Sequence, residues 1–106
     1  MVFNNDKIIG RYENGKSIKS WKCDPQKIYY YVSYTNGDIE NFYECTEDIF
    51  DDPVYALEYA RAKSLEYIGV MVVRNGRIMR EYENKQIIFN DERILPDGEP
   101  FRERIR

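Results

Sequence analysis

Apolar and polar positions alternate along most of this chain in short runs, and Asn-Gly dipeptides separate the runs at Asn14-Gly15, Asn36-Gly37 and Asn75-Gly76. Alternation at period two reads as half-buried strand, and Asn-Gly supplies the positive φ that both central residues of a type I′ hairpin turn require. The pattern predicts three hairpins. The first covers residues 7–21, with Glu13 facing Lys16 and Ile8 facing Trp21, and Pro25 ends it because it cannot donate to a ladder. The second sets residues 27–35 against 38–45, so that Tyr34 faces Ile39, Val32 faces Asn41, Tyr30 faces Tyr43 and Ile28 faces Cys45. Its other face carries Tyr31 with Phe42 and Tyr29 with Glu44. The third opens on Ile68-Gly69-Val70-Met71-Val72-Val73, a continuous apolar run of the kind found in a central strand covered on both faces. It returns through residues 77–83. A two-residue turn there sets Arg74 against Arg77, and these like charges favour a looser turn. Residues 85–90 add a last short strand.

One segment changes to a period of 3.6 residues, and it predicts a helix over about 53–66. Asp51 or Asp52 supplies the N-cap and Pro53 the first helical position. Val54, Leu57, Ala60, Ser64 and Leu65 share the inward side with Ala56 beside them, while Tyr55, Glu58, Tyr59, Lys63 and Glu66 face out. The expected fold is α+β: a mostly antiparallel sheet built from three hairpins, with the helix packed on one face. Residues 1–95 form the domain, and 96–106 read as a polar, flexible tail.

Composition narrows the chemistry. The chain has 106 residues, enough for one domain with its own core, and a formal net charge of −3, which gives no basic field for nucleic acid. It contains no histidine, so the usual general base and the usual imidazole metal ligand are both missing. Two cysteines without CxxC spacing make neither a disulfide framework nor a zinc site. No signal peptide or membrane span is visible, so a cytoplasmic protein with free Cys23 and Cys45 is expected, the other arrangement being a bridge between neighbouring strands. No phosphate loop, dinucleotide fingerprint or nucleophile elbow occurs. The acidic cluster of Glu44, Glu47, Asp48, Asp51 and Asp52 lacks calcium-loop spacing and reads as helix-capping charge rather than a metal site. No cofactor is implied.

What stands out is ten tyrosines. Tyrosine offers a flat apolar ring with a polar tip at low entropic cost, which suits binding surfaces. Tyr55 and Tyr59, four residues apart, with Lys63 one turn on, form a candidate partner-binding side of the helix. The bland reading is that the two rings cover neighbouring loops. Tyr29, Tyr31 and Phe42 could stack a base or nucleotide while Arg74, Arg77 or Arg80 meets phosphate. The bland reading there is a second small core with Trp21 beneath the first hairpin, and arginines paired with Glu81 and Glu83.

These observations point to a small non-enzymatic binding protein of inhibitor or adaptor type that acts through protein–protein contacts. Small size, abundant tyrosine and few catalytic groups are shared with compact binding proteins of phages and mobile elements. An exposed sheet edge makes a homodimer a candidate assembly. The alternative is a nucleotide or single-stranded nucleic-acid binding module.

Overall fold

The computed structural model describes residues 7–36 and 45–91. Among them, seven strands form one antiparallel sheet and a single helix covers one face of it. The strands are β1 (Gly10–Glu13), β2 (Lys16–Lys19), β3 (Tyr30–Thr35), β4 (Thr46–Phe50), β5 (Gly69–Arg74), β6 (Arg77–Glu83) and β7 (Gln86–Asn90). The helix, α1 (Pro53–Lys63), lies between β4 and β5 in sequence. Across the sheet the order is β2-β1-β4-β3-β5-β6-β7. Through α1 the chain passes from β4, on one side of β3, to β5 on the other. This is the α+β architecture that the periodicity predicts. The proposed limit at residue 95 and the tail beyond it lie outside the described residues.

Turn chemistry follows the sequence closely. Asn14 and Gly15 take φ of 53° and 79°, and Asn75 and Gly76 take 52° and 75°, so both turns are tight and two residues long. Arg74 does face Arg77, and the turn stays tight despite the like charges. A further turn of this kind, at Asn84 and Lys85 with φ of 49° and 66°, joins β6 to β7. Lys85 holds this left-handed conformation without the freedom of glycine. Its amide donates to Ser64 Oγ over 2.7 Å, which ties the turn to the end of α1.

Several expectations need correction. First, the strand beside β3 is β4, beginning at Thr46, with Tyr30 facing Phe50, Val32 facing Asp48 and Tyr34 facing Thr46. Tyr30 therefore does not pair with Tyr43. The rest of the expected partner strand, residues 37–44, lies outside the described residues. Tertiary burial sets the partner of β3: Ile49 and Phe50 are fully buried, and β4 also pairs with β1 on its far side. Asn36 accepts a hydrogen bond from the Ile68 amide through Oδ1 at 3.1 Å.

Second, the first hairpin keeps Glu13 opposite Lys16 but bulges at Ile18, so that Arg11 faces Lys19. Ile8 does not face Trp21. It joins the core, while the Trp21 indole lies over Gly10, where a Cβ would stand 2.6 Å from Trp21 Cγ.

Third, α1 is turned about its axis relative to the expected face. Asp52 caps it, with Oδ1 accepting from the Val54 and Tyr55 amides at 3.0 and 3.3 Å, and Pro53 opens it. Ala56, Leu57 and Ala60 face the sheet as expected, and the two alanines let the helix lie close. Val54 and Leu65, however, are 53% and 56% exposed, whereas Tyr59 is only 4% exposed.

The core lies between α1 and the sheet, built from Val32, Phe50, Val70, Val72, Met79 and Tyr82 against Ala56, Leu57, Tyr59 and Ala60. On β5 only Val70 and Val72 are buried, and Met71 and Val73 on the opposite face remain partly open. The central strand is thus covered on one face, not two. At the sheet edges, β2 bulges at Ile18 and β7 at Ile88, and both isoleucines are exposed. No helix among the described residues is long and apolar enough to cross a membrane.

Candidate functional site

The face of the sheet without the helix carries an open cleft of about 690 Å³. This lies within the range of about 300–1,000 Å³ usual for ligand pockets. Strand alternation builds its floor. Tyr31 on β3 sits opposite Val73 on β5, and Glu47 on β4 sits opposite Ser33 and Tyr12. Residues directly opposite share a face. The wall comes from the segment between β2 and β3, with Trp21, Cys23, Lys27, Ile28 and Tyr29, while residues 74–76 close one end.

A small turn holds this wall in place. Asp24 Oδ1 accepts from the Gln26 amide at 2.9 Å, and the Asp24 carbonyl accepts from the Lys27 amide at 3.0 Å. The Asp24 amide donates to the Tyr29 hydroxyl at 2.8 Å, which fixes that ring. Trp21 Nε1 donates to the Tyr12 hydroxyl at 2.9 Å. Tyr29 and Tyr31 meet the indole edge to face, with centroids 4.8 and 6.2 Å away. Trp21, Tyr29 and Tyr31 therefore form an aromatic cluster, as the bland reading of these rings expects, and that cluster walls an open space.

Burial pushes the Glu47 carboxyl above its ordinary value. It pushes the Tyr31 hydroxyl up as well, with Tyr12, Cys23, Glu47 and Tyr29 adding to the effect. Among the described residues neither group makes a hydrogen bond or ion pair. Lys27 is better provided for, with Nζ 3.7 Å from Asp51.

The residues selected from sequence divide. Tyr29 and Tyr31 come together in the cleft, and Phe42 lies outside the described residues. Arg74 borders the cleft, but in register it faces Tyr30, which belongs to the core on the helix side. Burial raises the Tyr30 hydroxyl and the Arg74 charge opposes that rise. Arg77 faces Arg74 across the turn. Arg80 donates through Nε to Asn90 Oδ1 at 3.0 Å and through Nη1 to the Tyr82 hydroxyl at 3.1 Å. Of the three arginines, Arg74 lines the cleft together with the two tyrosines, and Arg77 and Arg80 are not part of its lining. On the helix, Tyr55 is half-buried with its ring 5.6 Å from Phe50. Lys63 spreads its ammonium over Tyr34, Tyr59 and Tyr67 at 5.1, 5.3 and 5.8 Å from the ring centres. With Tyr59 buried, the expected Tyr55/Tyr59 anchor pair does not face outward.

The acidic cluster is dispersed over separate tasks. Asp52 caps α1, Asp51 lies by Lys27, Glu47 enters the cleft and Glu44 is outside the described residues. Asp48 is fully buried on the helix side. Its Oδ1 accepts from Arg11 Nε at 2.6 Å, and its Oδ2 accepts from the Tyr34 and Tyr59 hydroxyls at 2.6 and 2.7 Å and from Arg11 Nη2 at 3.2 Å. The hydrogen bond to Asp48 raises the Arg11 value, and burial raises both tyrosines. Each acceptor is engaged, and the arrangement is a structural tie. No group of three His, Cys, Asp or Glu among the described residues is placed to hold a metal. Both cysteines are free, Cys23 exposed and Cys45 buried.

Sequence reasoning missed Glu47 and Trp21 as members of the open site. The one signal available was the alternation of Thr46, Asp48 and Phe50 with Glu47 and Ile49, which places Glu47 opposite in face to Asp48 once the segment is taken as strand. Comparisons with protein-family models, curated proteins and solved structures find no match.

Proposed function

We propose that this chain is a non-enzymatic binding protein that engages another protein through the helix-free face of its sheet. The observation that carries the reading is the cleft walled by Trp21, Tyr29 and Tyr31. Rigid aromatic side chains give large contact area at small entropic cost, and tyrosine, tryptophan and arginine dominate the centres of protein interfaces. Support also comes from the two sheet edges. A bulge interrupts the ladder on each outer strand, which works against strand addition and leaves the face as the better contact surface. An inhibitor or adaptor acting in the cytoplasm fits such a surface, and a second copy of the chain is one partner it would admit.

The test is site-specific photocrosslinking in cells. A benzophenone side chain replaces Tyr29 in the cleft or Glu58 on the exposed side of α1. The expected result is a discrete adduct from position 29 and none from position 58. An adduct from position 58 alone, or from neither, overturns the reading.

The nucleotide alternative retains one supporting observation, that Tyr29, Tyr31, Lys27 and Arg74 line a common cleft. Phosphate contacts make binding weaken steeply with salt. Titration with a single-stranded oligonucleotide at two salt concentrations separates it from a tyrosine-centred protein interface.

A further inference from the structure

We propose that the cleft receives an arginine side chain of the partner protein, with Glu47 as its counter-charge and the rings of Trp21 and Tyr31 as its walls. The proposal rests on the reading of the helix-free face as the partner-binding surface.

Three features of the cleft lead to this group. The first is charge. Lys27 and Glu47 bring opposite charges to the cleft, but Lys27 already has Asp51 beside it. Arg74 lies at the end of the cleft, and in register it faces Tyr30 on β3. Glu47 is the acidic residue lining the cleft, and among the described residues it has no ion pair. A half-buried carboxylate in this position has lost part of its hydration without compensation, and a cation placed against it restores the balance.

The second is the wall. Aromatic faces carry negative potential and attract cations, tryptophan most strongly. Trp21 is held by its hydrogen bond to Tyr12 and by its seat on Gly10, so the indole is fixed in place before a ligand arrives.

The third separates arginine from lysine. The Tyr31 hydroxyl and the Glu47 carboxylate both lie in the cleft, both lack hydrogen-bond partners among the described residues, and the Glu47 charge raises the Tyr31 value. A guanidinium presents several N–H donors in one plane and stacks that plane on an aromatic ring. It can serve two acceptors and one wall at once. An ammonium is more strongly hydrated and has no plane to stack. A net charge of −3 on the chain also favours approach by a basic surface.

The test uses the tripeptide acetyl-Gly-Arg-Gly-amide and its citrulline counterpart, which has the same shape without the charge. Trp21 is the single tryptophan of the chain, so its emission reports the cleft directly. The expected result is a saturable change with the arginine peptide and binding at least about tenfold weaker for the citrulline peptide, a step of about 1.4 kcal/mol. Glu47→Gln weakens the arginine peptide by a similar factor, while Glu47→Asp keeps part of the binding. Thermal melts of both variants confirm that they fold. Equal binding of the two peptides, binding unchanged in Glu47→Gln, no saturable change, or tighter binding of adenosine monophosphate than of the arginine peptide each overturns the proposal. The position-29 crosslink keeps the two readings apart. If that adduct forms but the arginine peptide does not bind, the partner surface stands and the arginine is wrong. If the adduct is also missing, the partner surface falls as well.

Discussion

The Tyr59 hydroxyl donates to Asp48 Oδ2 across 2.7 Å, and this bond joins the middle of α1 to the middle of β4. It explains why a helix position that periodicity assigns to solvent is buried. Tyr34 donates to the same oxygen at 2.6 Å from β3, and Arg11 reaches the carboxylate from β1. Three strands and the helix therefore meet at one carboxylate.

Truncating that centre is costly. Breaking a buried charge pair costs about 3–5 kcal/mol, and because Arg11 keeps contact with water the expected loss for Asp48→Ala is about 2–4 kcal/mol. Tyr59→Ala removes a buried ring as well and loses about 3–5 kcal/mol, whereas Tyr59→Phe loses about 1 kcal/mol. Urea denaturation of the three variants measures the series. Near-neutral behaviour of Tyr59→Ala would contradict the buried placement.

Alkali tests the same network. Burial raises Tyr34 and Tyr59 above the ordinary tyrosine value of 10.0. Above that value the unfolded chain releases protons that the folded chain retains, so stability falls as pH rises. Melting curves should shift down from about pH 10 upward, and the double variant Tyr34→Phe with Tyr59→Phe should flatten the slope, although it starts from lower stability.

Glu47 gives the opposite test at the other face. Its folded value is raised above the ordinary 4.5 by burial. Between the two values the folded chain holds the extra proton, so stability falls as pH rises through that window and stays reduced at neutral pH. Glu47→Gln should therefore melt no lower than the parent at neutral pH, and any gain should close as the pH drops below the ordinary value. Scanning calorimetry across this range measures the difference. A residue kept at the expense of stability fits a binding role better than a packing role.

Lys85 offers a gain rather than a loss. With φ of 66° it occupies a region that costs an L-residue roughly 1–2 kcal/mol. Lys85→Gly keeps the amide that bonds to Ser64 and should raise stability by about 1 kcal/mol, read as a higher urea midpoint at unchanged slope.

Much of this fold is legible in the sequence because local chemistry dictates it. Asn14-Gly15 and Asn75-Gly76 turn where they should, Asp52 and Pro53 start the helix, and Ala56 and Ala60 face the sheet. What is not legible is set by distant partners. Thr46–Phe50 has a charge on its core face, so it does not look like a strand until Arg11, Tyr34 and Tyr59 are known to surround Asp48. The outward turn of Val54 and the inward turn of Tyr59 follow from that single anchor. The candidate site is half legible for a similar reason. Tyr29 and Tyr31 stand out by type, but Glu47 becomes conspicuous only when its neighbour Asp48 is seen to point the other way. The close approach of the Trp21 indole to Gly10 is likewise set by a partner eleven residues away.

An antiparallel sheet has two directions in which to polymerise, one from each outer strand. In this chain β2 and β7 each carry one residue too many for their neighbour, Ile18 and Ile88. The extra residue throws the outward-pointing amides and carbonyls out of step, so an incoming strand that matches one half of the edge mismatches the other. Edge-to-edge growth is disfavoured at both outer strands. The same insertion makes each edge a poor template for an incoming strand, and removing Ile88 to restore the alternation should turn β7 into a growing end.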